Sequence, residues 1–341
     1  MRYFWILLTC LLLLAGATRP AYSQRELGVR PTDSGGPLMP EQAAYDVTFY
    51  DLALRINPTE QSIAGVLTAH ARIVHPTEWF VLDLDTPLVV DSVAAVGRGA
   101  ETQPLRFERR GGKLWIAFPL TMQPGEMVKV RVAYGGKPRV ARRPPWVGGF
   151  VWEKTPGGEP WVAVACQNDG ADLWWPCKDH PSDEPDSMAL HITVPQSLVC
   201  AANGQLQSVV KNNDGTHTFN WFISAPINNY SVSINVAPYR TIEGPYRSLS
   251  GETVPVTFWV LPEDYEKGRQ LFPQFLEHLR FLEQHLGPYP FRADKIGVAQ
   301  TPYLGMEHQT IIAYGNNFKN NDYGFDGLLF HEVGTSGGGI S

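Results

Sequence analysis

The chain has 341 residues, 43% of them hydrophobic, and it carries a formal net charge of −6. That length and apolar content suffice for two domains with sizeable cores, and the 13 Tyr, 16 Phe and 10 Trp argue against a disordered protein. A mildly acidic chain repels phosphate backbones, so we expect no nucleic-acid partner.

Residues 1–23 have the pattern of a secretory signal peptide. Arg2 supplies the positive start, residues 4–15 are an apolar run, and Ala21-Tyr22-Ser23 fits a cleavage site with small flanking residues. The run is too short for a comfortable membrane span, although an uncleaved anchor is the alternative. We therefore expect export to the periplasm, the outer membrane or the medium, with no stable membrane span after signal cleavage.

Export would leave Cys166, Cys177 and Cys200 in the mature chain. Because three is an odd number, at least one thiol stays free unless another chain supplies a partner. The sequence leaves the pairing open, and it contains no CxxC metal-binding pattern.

After a linker rich in Pro, Gly and polar residues at 24–43, the pattern changes to short alternating runs separated by turn residues. The predicted strands cover residues 47–56, 63–74, 79–84, 92–96, 113–118, 127–134, 150–153, 161–165, 190–194, 217–223 and 230–236. So many strands without a convincing helix predict a mainly β domain over residues 44–245, either a β-sandwich or an open β-saddle.

The apolar period switches at Pro262-Glu263-Asp264. From there, apolar residues at helical spacing predict a helix over 265–286, with Asp264 as its N-cap and Gly287-Pro288 as its stop. Strands are predicted at 296–299 and 309–313, and another helix begins near Phe325. We therefore predict the start of an α+β domain over residues 250–341.

That last helix carries the pair His331-Glu332 after an apolar run. In a zinc-peptidase helix, two His residues four positions apart share one face, and the Glu beside the first His acts as the base. Thr335 stands here where the second His would be. The pair alone is a weak signal, because an ordinary helix-surface pair has the same sequence.

A second motif, Gly305-Met306-Glu307-His308, places Glu307 24 residues before His331. A carboxylate at a strand edge beside a zinc helix can hold the free α-ammonium group of a peptide, which makes a peptidase measure from the N-terminus. Taken in isolation, Glu307 is better interpreted as an ordinary charge on an edge strand.

Together these motifs resemble the aminopeptidase N family of zinc metallopeptidases, which carries Gly-x-Met-Glu-Asn ahead of His-Glu-x-x-His. The resemblance spans residues 44–334, breaks off within the second motif, and includes Tyr134-Gly135-Gly136, Trp174-Trp175-Pro176-Cys177-Lys178-Asp179 and Gly287-Pro288-Tyr289-Pro290-Phe291. It implies a β N-terminal domain followed by the incomplete start of a thermolysin-like α+β catalytic domain.

The resemblance also implies a substrate-binding set. Gln167 would contact the N-terminal end of a peptide substrate, and Glu307 would hold its ammonium group. Gly305 and Met306 would line the cleft and offer backbone groups. His308 stands where the family has Asn, which changes the local hydrogen bonding. The implied partners are peptides with a free N-terminus.

For the metal, the resemblance implies His331 as the first zinc ligand and Glu332 as the general base that takes a proton from zinc-bound water. The family reaction releases single N-terminal residues. With Thr335 at the second ligand position, and the third ligand and the oxyanion-stabilising tyrosine expected beyond Ser341, one imidazole does not hold a catalytic zinc. We therefore expect no stable Zn²⁺ binding and no activity in this chain.

Residues 334–341, Gly-Thr-Ser-Gly-Gly-Gly-Ile-Ser, have the composition of a flexible loop. The family continuation Gly-His-Glu-Trp-Trp-Gly-Asn-Leu can be encoded as GGC CAC GAG TGG TGG GGG AAT CTC G. Deleting one C gives GGC ACG AGT GGT GGG GGA ATC TCG, which translates into residues 334–341. We hypothesise a one-base frameshift, with a genuinely divergent tail as the alternative. Resequencing the locus across codon 335 tests this, and an unshifted frame there with no Trp-Trp downstream would contradict the hypothesis.

Two further expectations follow from this organisation. The α+β segment should expose apolar surface and be poorly stable, because few elements cover it. The alternative function is a non-catalytic β-sandwich binding module with a short α+β appendage. A serine or cysteine hydrolase is less favoured, because the segment Val164-Ala165-Cys166-Gln167 contains no His or Asp that argues for one.

Overall fold

A computed structural model describes residues 37–97 and 99–337 of the chain. The predicted signal peptide, most of the predicted linker and residues 338–341 of the tail lie outside the described residues. No helix in the described ranges is both long enough and apolar enough to cross a membrane.

The largest sheet has eight strands in the order β13-β14-β11-β1-β2-β8-β4-β5. Its strands are β1 (Tyr45–Asn57), β2 (Ser62–Ile73), β4 (Leu88–Val96), β5 (Thr102–Pro104), β8 (Met127–Gly136), β11 (Ser187–Pro195), β13 (Gln205–Lys211) and β14 (Thr216–Ile223). Alternate residues such as Leu52, Leu67 and Val132 point into the core, because successive side chains of a strand face opposite sides.

Two smaller sheets share this core. One contains β3 (Thr77–Asp83), β7 (Lys113–Met122) and β6 (Arg106–Arg110) in that order. The other has the order β12 (Val199–Ala202), β15 (Ile234–Ala237), β10 (Pro160–Ala165) and β9 (Gly149–Lys154). Phe80, Val162 and Leu52 belong to a single apolar cluster that joins all three sheets. The predicted β-sandwich or saddle is confirmed.

The remaining sheet has the order β16-β17-β18-β20-β19. Its strands are β16 (Arg240–Arg247), β17 (Thr253–Val260), β18 (Ile296–Gln300), β19 (Gly305–Met306) and β20 (Ile312–Tyr314). A short helix α1 (Pro40–Ala43) precedes β1. Helix α2 (Tyr265–Leu286) has the predicted bounds, and α3 (Gly327–Gly337) packs beside it. This is the predicted start of an α+β catalytic domain. The domain boundaries at 245 and 250 stay predictions, and they fall within the β16–β17 hairpin.

The α+β part has its own apolar cluster, which includes Phe275 and Leu279 of α2 and Val333 of α3. Phe281 and Leu286 of the same helix α2 are 49% and 61% exposed. Exposed apolar surface was expected here, and its consequence for stability stays a prediction.

Some local expectations are wrong, and strands β6, β12, β16 and β17 were not predicted. The region 230–236 was expected to be one strand, yet it begins with a 3₁₀ turn at Asn229–Ser231, and β15 starts only at Ile234. The edge strand β13 was not predicted, since all of its residues are exposed and show no alternation. Residues 334–337 continue α3 rather than forming a loop, because Val333 and Ser336 are buried against neighbouring elements.

Cys166, Cys177 and Cys200 are buried free thiols. Burial raises the pKa of Cys166, Cys177 and Cys200, so each behaves as a small apolar side chain rather than as a nucleophile.

Candidate active site

A tyrosine tie brings two distant segments of the chain together. Tyr303, just before β19, donates its hydroxyl to the carbonyl oxygen of Val164 on β10, at 2.9 Å. Gln167 lies three residues after Val164, and Glu307 lies four residues after Tyr303. The tie therefore places the ends of β10 and β19 side by side.

At this junction, Glu307 receives two side-chain donors from the β domain. The amide Nε2 of Gln167 lies 3.5 Å from Oε1 of Glu307, and the hydroxyl of Tyr230 lies 3.3 Å from the same oxygen. Both contacts are long, so a stronger charged partner can compete for the carboxylate. The structure thus brings together two of the predicted substrate-binding residues, although their roles stay predictions.

Tyr230 was missed by sequence reasoning. The segment Asn228-Asn229-Tyr230-Ser231 was taken as the beginning of a strand, whereas it forms a 3₁₀ turn. The two consecutive Asn residues were the available signal, because Asn favours turns by bonding its own local backbone.

Gly305 lies directly against the histidine–glutamate helix. A Cβ atom at position 305 would lie 2.5 Å from Oε1 of Glu332 and 3.0 Å from a methyl carbon of Leu328. A side chain at position 305 would have to displace the Glu332 carboxyl group and the Leu328 methyl group, so the glycine lets the β19 backbone lie directly against them. The first residue of the Gly-x-Met-Glu motif therefore sets the distance between the edge strand and the helix.

Glu332 is 6% exposed and shares this space with Glu307. Burial, and then the negative charge of Glu307, raise the pKa of Glu332 to about 8. A carboxyl group with this pKa is mostly protonated at neutral pH.

His331 is exposed on α3, and Thr335 lies one turn further along the same face. The hydroxyl of Thr335 donates to the carbonyl oxygen of His331 at 3.0 Å, so it is engaged with the helix backbone. Within residues 37–97 and 99–337, no group of three or more His, Cys, Asp or Glu side chains could hold a metal ion. These residues do not fit a catalytic zinc site, which takes three protein ligands.

The other two members of the motif are buried. Met306 is 1% exposed and packs in a small cluster with Tyr303 and Ala313, while its cleft-lining role stays a prediction. His308 is fully buried, and burial lowers its pKa to about 3, so the ring is neutral. Neither ring nitrogen of His308 has a hydrogen-bond partner among the described residues. His308 therefore adds no charge beside Glu307.

The described part of the site can recognise a cation. Glu307 is a half-buried carboxylate held at one oxygen by neutral donors, and no lysine or arginine contacts it among the residues described. An ammonium group bound to the other oxygen would form a charge-assisted hydrogen bond, which is stronger than the neutral contacts already present.

Comparison with known proteins places these features in a family. Residues 47–230 match the Peptidase M1 N-terminal domain. The chain is 27% identical over 310 residues to leucine aminopeptidase 2 of Vanderwaltozyma polyspora. That match covers 86% of this chain and 43% of the yeast protein, so the chain spans less than half of that relative.

Solved structures agree with this match. A two-domain M1 zinc metallopeptidase mutant bound to L-tryptophan superposes with a TM-score of 0.71 at 25% identity, covering 90% of this chain and 67% of its own. An M1 zinc metallopeptidase mutant from Deinococcus radiodurans, bound to a Tyr-Ser-Ala substrate, gives 0.70 at 25% identity over 89% of this chain and 66% of its own.

Proposed function

Because this chain belongs to the M1 family of zinc metallopeptidases, we propose that its site binds the free N-terminus of peptides. In an M1 aminopeptidase, this binding would serve the removal of N-terminal residues, with zinc activating the attacking water. Leucine aminopeptidase 2 and the peptide-bound bacterial structure support this proposal.

The observation that carries the proposal is the convergence on Glu307. Gln167 and Tyr230 come from the β domain, and Glu307 comes from the edge of the five-stranded sheet next to Glu332. Glu307 directly follows β19, the strand that contacts the histidine–glutamate helix. Its carboxylate is therefore placed to bind the α-ammonium group of a peptide whose first peptide bond lies near that helix.

We propose further that this chain binds N-termini without hydrolysing peptides. His331 and Glu332 are present, but Thr335 offers a hydroxyl that is bonded to the helix backbone instead of an imidazole. The missing ligand also favours the alternative, a non-catalytic binding module, so amine recognition rather than hydrolysis is the property to test. Export remains a proposal that rests on residues 1–23.

Replacing Glu307 by Gln should remove the preference for a free amine. We expect the unsubstituted chain to bind leucinamide more tightly than 4-methylpentanamide, its analogue without the amine. Glu307→Gln should lower leucinamide affinity roughly 10- to 100-fold, because a hydrogen bond to a charged group is lost. NMR titration of both ligands measures the two affinities.

The matched control is Glu60→Gln, because Glu60 is an exposed acid on the β1–β2 turn and lies outside the site. It should leave the preference for leucinamide unchanged. Equal binding of the two ligands by the unsubstituted chain, or an unchanged preference in Glu307→Gln, would contradict the proposed amine site.

A further inference from the structure

Tyr230 contacts the acidic end of the site from the β domain. Its hydroxyl donates to Oε1 of Glu307 at 3.3 Å. The amide of Gln167, which follows β10 of the same domain, lies 3.5 Å from the same oxygen. Since both donors reach Oε1, the other carboxylate oxygen of Glu307 is left for a ligand.

Hydrogen bonds made by the side chains of Asn228 and Asn229 hold the turn that carries Tyr230. The side chain of Asn228 accepts a hydrogen bond from the backbone N–H of Tyr230, at 3.3 Å. The side chain of Asn229 donates to the carbonyl oxygen of Lys178, at 2.6 Å, in the buried interior of the β domain. The backbone of Tyr230 is therefore anchored independently of Glu307.

One buried amide fixes the distance between the turn and the Glu307 segment. Asn203 donates through Nδ2 both to the carbonyl oxygen of Ser231, at 2.9 Å, and to that of Gln309, at 2.5 Å. Ser231 follows Tyr230 directly, and Gln309 lies two residues after Glu307. Asn203 thus fixes the backbone next to Tyr230 relative to the backbone near Glu307, and it contacts neither of those two side chains.

The ring of Tyr230 packs against the buried Met306–Tyr303 cluster. Burial, and then the charge of Glu307, raise the pKa of Tyr230, so its phenol stays protonated at neutral pH. A protonated phenol beside a carboxylate is the hydrogen-bond donor, so Tyr230 donates and Glu307 accepts.

We propose that Tyr230 is a positioning residue of the amine site, holding Glu307 by Oε1 so that its other oxygen faces the ammonium group of the bound N-terminus. This inference rests on the proposed function of Glu307. It assigns part of the N-terminus recognition to the β domain, through a residue that contacts the carboxylate and not the scissile bond.

Tyr230→Phe keeps the ring and removes the hydroxyl. We expect leucinamide affinity to fall about 3- to 10-fold, the effect of one hydrogen bond, with no change in the affinity for 4-methylpentanamide. A purely structural role would weaken both ligands alike, so the ratio of the two affinities is the deciding readout. Tyr323→Phe is the matched control, because Tyr323 is 88% exposed and lies away from Glu307.

The outcomes separate the two proposals. If Glu307→Gln abolishes the amine preference and Tyr230→Phe leaves it unchanged, the positioning role is overturned and the amine site stands. Equal loss for both ligands in Tyr230→Phe also overturns the positioning role. If the unsubstituted chain shows no amine preference, the amine site fails, and the inference fails with it.

Discussion

Thr335→His is expected to raise the affinity of this chain for Zn²⁺ by more than about 100-fold. Residues 331 and 335 lie one turn apart on α3, and the bond from the Thr335 hydroxyl to the His331 carbonyl shows that the helix is regular there. A second imidazole would therefore lie beside an exposed first one. Even outer-shell partners of metal ligands contribute roughly 10- to 100-fold to affinity, so a direct ligand should exceed that.

Competition with a chromophoric zinc chelator measures this affinity. The matched control carries His331→Ala in the Thr335→His background and should return to the affinity of the unsubstituted chain. A gain that survives the loss of His331 would show that zinc binds elsewhere. No gain in Thr335→His would mean that α3 does not present the two positions together.

The absence of a histidine at position 335 also bears on activity. We expect the unsubstituted chain, supplied with Zn²⁺, to leave leucyl anilide intact, because one imidazole does not hold the metal. Hydrolysis by the unsubstituted chain, abolished by Glu332→Gln, would overturn the proposal that this chain is inactive.

Helix α2 shows what the sequence predicts well. Its apolar residues recur at helical spacing, and turn residues border it at Pro262 and Gly287, so both ends could be placed. The central β strands were found for the same reason, since burial of one face imposes an alternating pattern.

Strands β16 and β17 were not predicted, although β17 alternates exposed and buried residues over its first half. Features without a periodic signal were also missed. Strand β13 is exposed along its whole length, and only its pairing with β14 makes it a strand. Residues 334–337 were expected to leave the helix because of their glycines and serine. The contact of Ser336 with the buried Tyr289 hydroxyl, at 3.3 Å, belongs to tertiary packing, which overrides the local preference.

The site itself was predictable in part. Gln167 and Glu307 are 140 residues apart in sequence, and no spacing argument joins them. The family resemblance suggested both residues, and the tie from Tyr303 to Val164 explains how they meet. The contribution of Tyr230 depends on a turn geometry that only the folded chain reveals.

A buried lysine where the β domain meets the five-stranded sheet leads to a prediction about pH and stability. Lys295 donates through Nζ to the carbonyl oxygens of Ala202 and Gly204 at the end of β12. Its ammonium lies 4.8 Å from the ring centroid of Trp221 and 5.9 Å from that of Trp259. Burial lowers the pKa of Lys295 to about 7, and the charge of Asp294 acts in the opposite direction.

The sign of the effect follows from proton binding. In the unfolded chain, a lysine has a pKa of about 10.4, so between pH 7 and 10 the unfolded state holds more protons at this position than the folded state. The free energy of unfolding therefore rises with pH across this window. Below pH 7 both states are charged, and the contribution becomes constant at its least favourable value.

We expect Lys295→Met to remove this rise. Between pH 7 and pH 9, the unsubstituted chain should gain about 2 kcal/mol more stability than the Lys295→Met variant. Urea unfolding at pH 7, 8 and 9 measures the free energy of unfolding of both chains. The substitution also removes the two carbonyl contacts, but that loss does not depend on pH, so it cancels when the slopes of the free energy of unfolding with pH are compared. Lys319→Met, at an exposed lysine, should follow the unsubstituted chain. Parallel curves for the chain and Lys295→Met would show that Lys295 stays charged in the fold, held by its carbonyl and tryptophan contacts.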